Sequence, residues 1–130
     1  MQNHNSFRRR SWFAKFRDAF RGVKKGVVGQ NSFAVHFFIA TLVIAAAGAL
    51  QISNPVEWCV LLMCITIVLT AEMFNSALES LAPAITDQKH PNIRSALDVG
   101  SAAVLFAAVG SVVIGAIVFG NRLGMLLEWW

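Results

Sequence analysis

From Val99 to Gly120 the chain carries no charged residue, and a second uncharged run extends from Trp58 to Ala71. Runs of this length must be covered by a large apolar core or placed in lipid. With 130 residues, of which 14% are charged against roughly 25% in soluble domains, the chain has little polar surface with which to enclose such a core. A bilayer is the alternative. A helix crosses it with about 20 apolar residues and satisfies its own backbone groups on the way. The sequence therefore points to an all-α membrane protein.

Three spans are expected, at about 33–50, 56–81 and 93–120, in a single integral-membrane domain covering 1–130. The first is short: eighteen residues at 1.5 Å each give about 27 Å, just enough for a hydrocarbon core near 30 Å. The stretch "QISNP" makes a turn, with Pro55 suited to open the next helix. "PAITDQKHPN" reads as a polar loop bracketed by Pro83 and Pro91, and "NRLGMLLEWW" as an interfacial tail anchored by Trp129 and Trp130. Cys59 and Cys64 have no metal spacing and read as small buried hydrophobes, and His36 as a packed interfacial histidine. Some thirty polar and basic residues precede the first apolar run, the wrong order for a secretory leader.

Basic residues are concentrated at the start. Arg8, Arg9, Arg10, Lys15, Arg17, Arg21, Lys24 and Lys25 supply eight of the eleven. Residues 1–10 read as a disordered basic arm. From 11 to 28, Trp12, Phe13, Phe16, Phe20, Val23 and Val27 recur at helical spacing between Lys and Arg, the pattern of a helix lying in the membrane plane. Anionic lipid headgroups, attracted at about 1 kcal/mol per basic residue, explain this arm better than nucleic acid does. Lys89 and Arg94 lie in the second loop, the 51–55 turn has no basic residue, and the tail has only Arg122. The positive-inside rule then places the N-terminus and the second loop in the cytoplasm and the C-terminus outside.

Against this background "AEMFNSALES" (71–80) is anomalous. Glu72, Asn75, Ser76 and Glu79 fall at i, i+3, i+4 and i+7, one face of a helix that is otherwise apolar. A charge at mid-membrane costs about 2.5–3.5 kcal/mol on insertion scales, so this face should meet another helix or a wet cavity. If the second and third spans form a hairpin, Asp98 comes to a depth similar to that of Glu79. A carboxylate cluster of this kind suits Mg²⁺ and the phosphates it accompanies, and a buried Glu suits a general base for a hydroxyl. The competing reading is that these residues only bond helices together. No GxxxxGK[ST] loop is present, so a nucleotide would need another cradle.

The run "EMFNSALES" followed by "ITDQKHPNIRSALDVGSAAVLF" resembles the prokaryotic diacylglycerol kinase family, which includes undecaprenol kinases. The family pattern is E-x-x-N-[ST]-A-[IL]-E, an eighteen-residue gap and then Asp before small residues. Glu72, Asn75, Ser76, Ala77, Leu78, Glu79 and Asp98 fit it, and the likeness extends over about Arg17 to Phe119. The resemblance implies a homotrimer in a bacterial cytoplasmic membrane, with sites shared between neighbours, that phosphorylates a lipid hydroxyl with ATP and Mg²⁺. It implies Glu72 as catalytic base and Glu79 as metal ligand. It further implies Gln88, Lys89, His90 and Asp98, beside Glu79, as nucleotide contacts, and Asn75 and Ser101 on the lipid side.

Three positions depart from the family pattern. Gln30 stands where a second metal-binding Glu is expected, and offers a neutral oxygen only. Leu97 replaces a Lys ahead of Asp98, and Pro83 replaces a frequent acid. A second reading is therefore an altered member that keeps the fold and binds lipid. An unrelated pore-forming protein would explain three spans but not the register of the polar residues. The "HP" of the loop and "SFAVH" before the first span lean toward the undecaprenol branch.

Overall fold

The computed structural model of the chain describes residues 11–29, 31–88 and 90–129. The expectations for residues 1–10, Gln30, Lys89 and Trp130 lie outside these. Four helices follow in order: α1 (Trp12–Gly29), α2 (Asn31–Ala49), α3 (Pro55–Ile85) and α4 (Pro91–Leu126), with no strand among the described residues. The last three are long and apolar enough to cross a membrane.

The two longest helices, α3 and α4, each begin on a proline preceded by a side-chain cap. The Oδ1 of Asn54 accepts from the Val56 N–H at 2.9 Å, and Nδ1 of His90 accepts from the Asn92 N–H at 3.3 Å. Proline loses nothing at the first helical position, because its missing N–H would have had no partner there.

Both long helices outrun the spans expected from hydropathy. Pro83 was expected to bracket the loop, yet α3 runs through it to Ile85 and turns extended only at Thr86. Pro83 cannot donate to the Glu79 carbonyl, but that is one bond in the final turn, and the helix tolerates it. The connection to α4 shortens to residues 86–90. At the other end α4 passes Gly120 and continues to Leu126, so most of the expected tail is helix. A Schellman motif closes it: Trp129 N–H bonds Gly124 O at 3.0 Å, with Glu128 in the left-handed region at φ 54°.

α2 ends in the same motif, with Ile52 N–H on Ala47 O and Gln51 N–H on Gly48 O, both at 3.0 Å, and Gln51 at φ 53°. Gln here has no glycine's freedom, and Arg122 supports the turn. Its Nε donates to Leu50 O at 2.7 Å and its guanidinium to Gln51 O at 2.8 Å. Trp58 Nε1 adds a bond to Ile52 O at 2.9 Å, over a buried cluster of Ala47, Ile52 and Leu61. The extension of α4 beyond Gly120 is what carries Arg122 to the α2–α3 turn. Charge-assisted bonds contribute about 1.5–3 kcal/mol each. We expect Arg122→Ala to lower the unfolding free energy by about 2 kcal/mol in a denaturant titration in micelles, with Lys restoring less because it lacks the planar fork.

α3 and α4 form an antiparallel pair whose register two contacts fix. Asn75 lies against Gly100, and Ser111 Oγ donates to Cys64 O at 3.4 Å. The outer surfaces, including Phe37, Phe38, Leu105, Phe106 and Val112, are exposed, as expected where the surroundings are acyl chains. α1 keeps Trp12, Phe13, Phe16 and Phe20 exposed on its apolar side, with Lys15 Nζ 5.0 Å from the Trp12 ring centre.

Candidate functional site

Of the polar face on α3, three members turn inward. Glu72 is 2% exposed, Asn75 and Ser76 each 6%, while Glu79 one turn further on is exposed. Helical spacing alone puts the four in one row, and tertiary packing decides which are covered. The row is also wired internally: Asn75 Nδ2 donates to Glu79 Oε1 at 2.9 Å, and Ser80 Oγ donates to the Ser76 carbonyl at 2.9 Å.

Two oxygens in this row have no hydrogen-bond partner among the described residues: Glu72 Oε1 and Asn75 Oδ1. A buried acceptor left without a donor costs about 1–3 kcal/mol, more for a charged group. Such atoms in a folded protein call for an explanation, of which a catalytic or binding role is one. Glu72 is also the largest fully buried side chain among the described residues.

Depth separates the two glutamates. Trp58 and Arg122 hold the turn between α2 and α3, and an aromatic indole of this kind belongs at a membrane interface. About twenty residues of helix span the hydrocarbon. Counted from Trp58, that length ends near Ala77, so Glu72 lies inside the apolar zone and Glu79 at its edge. In the register set by Asn75 and Gly100, Asp98 lies within about two residues, or 3 Å, of the level of Glu79.

Beyond Glu79 the ends of α3 and α4 separate around a cleft of about 690 Å³. Gln88, His90 and Asp98, three of the residues expected at a nucleotide, line it together with Arg94, Leu97 and Pro83. Arg94 escaped the sequence reading as a site residue, although it stands one turn before Asp98 and so shares its face. Ser101 is exposed on α4, one position past the Gly100 that meets Asn75. Gln30 and Lys89 lie outside the described residues.

No three His, Cys, Asp or Glu side chains converge as a metal cluster among the described residues. That donor set still fits Mg²⁺, which commonly takes only one or two carboxylates and leaves its other positions to phosphates and water. Glu79, at the edge of the apolar zone with one oxygen held by Asn75, is a carboxylate of that kind.

The sequence that builds this buried acceptor row and cleft matches known proteins. The family model described as prokaryotic diacylglycerol kinase matches residues 17–119. An undecaprenol kinase of Bacillus subtilis (strain 168) is 30% identical over 112 residues, covering 86% of this chain and 90% of that protein. A diacylglycerol kinase of Synechocystis sp. is 34% identical over 101 residues, 77% of this chain but 57% of that longer protein. The matched region contains Glu72, Asn75, Glu79 and the whole cleft. The chain belongs to the prokaryotic diacylglycerol kinase family of membrane lipid kinases.

Proposed function

We propose that the chain transfers the γ-phosphate of ATP to the hydroxyl of a membrane lipid alcohol, an undecaprenol-like polyprenol or diacylglycerol. The observation that carries this reading is Glu72: a carboxylate buried in the apolar zone, with an oxygen that no donor among the described residues reaches. A lipid hydroxyl is a donor, and it enters from the hydrocarbon side. In the reaction the hydroxyl oxygen attacks the γ-phosphorus, the bond from that phosphorus to the bridging oxygen of ADP breaks, and the hydroxyl proton passes to Glu72.

Asn75 and Ser101 are assigned to the lipid side and Gln88, Lys89, His90 and Asp98 to the nucleotide. Glu79 would hold Mg²⁺ on the phosphates, with Gln30 as its neutral companion. The ion's contribution when bound is to offset the charge on the phosphoryl oxygens. The exposure of Glu79, Asp98 and Ser101 in the single chain is what a site completed by a neighbouring protomer of a homotrimer requires. We place the cleft on the cytoplasmic face of a bacterial cytoplasmic membrane, with the C-terminus outside and the basic arm on anionic headgroups, from the distribution of basic residues. The altered, non-transferring reading is not favoured, because both named relatives are kinases and the Glu72 row is intact.

Undecaprenol and diacylglycerol, presented side by side in mixed micelles with Mg-ATP, test the proposal. Transfer of labelled phosphate to one of the two is expected. The greater coverage of the undecaprenol kinase favours the polyprenol. No turnover on either, at protein doses that suffice for a homologous kinase, would refute it.

A further inference from the structure

At Gly100, α4 packs directly against α3. A Cβ placed there would stand 2.6 Å from Asn75 Oδ1 and 3.1 Å from Leu78 Cδ1. The first separation is shorter than any stable contact of a methyl carbon, so a side chain at 100 and the present Asn75 conformation exclude each other. Gly22, Gly26, Gly48, Gly110, Gly115 and Gly120 have nothing within 4 Å of the same position. The constraint therefore belongs to this one contact and not to a general need for small residues.

Asn75 has little choice of conformation. It is 6% exposed, its Nδ2 is committed to Glu79 Oε1 at 2.9 Å, and its Oδ1 points at the space left by the missing side chain. Exchanging the two ends of the amide would put an oxygen against the Glu79 carboxylate, a repulsive arrangement. We infer that Gly100 is a positioning residue of the kinase reaction: by leaving room for Asn75 Oδ1 it fixes the amide that orients Glu79. The inference rests on the functional reading above, in which Glu79 faces the phosphates.

A methyl at 100 drives the Asn75 amide off its rotamer and breaks the bond to Glu79. Outer partners that orient metal-binding side chains are worth about 10–100-fold in affinity or activity. Gly100→Ala should therefore raise the KM for Mg-ATP by at least about tenfold and weaken binding of a fluorescent ATP analogue in the presence of Mg²⁺ to the same extent. Because Asn75 is also assigned to the lipid side, the KM for the lipid should rise too, but by several-fold less than that for Mg-ATP.

The control for a merely structural effect is the Asn75→Ala background. There the 2.6 Å conflict is gone, and only the flexible end of Leu78 must yield. Gly100→Ala should then cause no further loss of nucleotide binding, the double variant matching Asn75→Ala alone. Wild-type analogue affinity in Gly100→Ala, or losses that simply add in the double variant, would overturn the inference. So would a lipid KM rising in step with that for Mg-ATP. Each of these leaves the kinase reading standing if the wild type transfers phosphate. A wild type that binds no Mg-nucleotide and transfers nothing defeats both.

Discussion

Glu72→Gln is expected to lower the phosphotransfer rate by about 10²–10⁴-fold, the range for loss of a general base, while leaving the folded protein as stable as before or more so. The second half of this expectation separates a chemical role from a structural one. Glu72 is 2% exposed and one of its oxygens has no partner among the described residues, so a carboxylate there is a burden on the fold. Glutamine has nearly the same shape and removes the charge. If Glu72 served to tie helices together, the exchange would disturb packing and lower the unfolding midpoint. A carboxylate retained for chemistry gives the opposite pattern of a dead and unimpaired protein. Single-turnover transfer from Mg-ATP, measured beside a denaturant titration in the same micelles, reads both. Retained turnover in Glu72→Gln would remove it from the role of base.

The second large effect concerns Glu79. Glu79→Ala should weaken apparent binding of Mg-ATP by more than about a hundredfold, beyond the 10–100-fold typical of groups that act only through a ligand. Glu79→Gln separates charge from position. Its amide oxygen can still accept from Asn75 Nδ2, which now lies 2.9 Å from Glu79 Oε1, but it has no charge for the cation. If Glu79 faces the metal, the Gln variant should lose nearly as much as the Ala variant, and more free Mg²⁺ should partly restore the rate. Turnover profiles against Mg²⁺ that superimpose on the wild type would show that Glu79 has no part in holding the ion.

These two expectations rest on features that differ in how they could be known. The row Glu72, Asn75, Ser76, Glu79 was legible because a helix has 3.6 residues per turn, and four polar residues at i, i+3, i+4 and i+7 in an apolar run can hardly be accidental. The same periodicity gives no account of which members are covered. Glu72 is shut in and Glu79 is open because of what the other helices place over each, which the spacing along α3 does not encode. Nor did hydropathy locate the helix ends. It placed them where apolar residues cease, whereas α3 and α4 end where their backbone bonds are closed off, at Thr86 and in the turn at Glu128. Arg122 read as a stray charge in a tail, and it holds the α2–α3 turn from 71 or more positions away in the chain.

The sequence by itself determined that this chain is helical and enters a membrane, because uncharged runs of that length have few other stable environments. It also singled out the helix that carries the row of polar side chains, because an ionisable side chain in lipid is expensive enough to stand out. The tertiary structure alone decided which oxygens are left without donors among the described residues, which polar residues share the cleft, and what stands against Gly100. Those are properties of two helices at a particular register and separation, and no spacing along one chain encodes the distance to another.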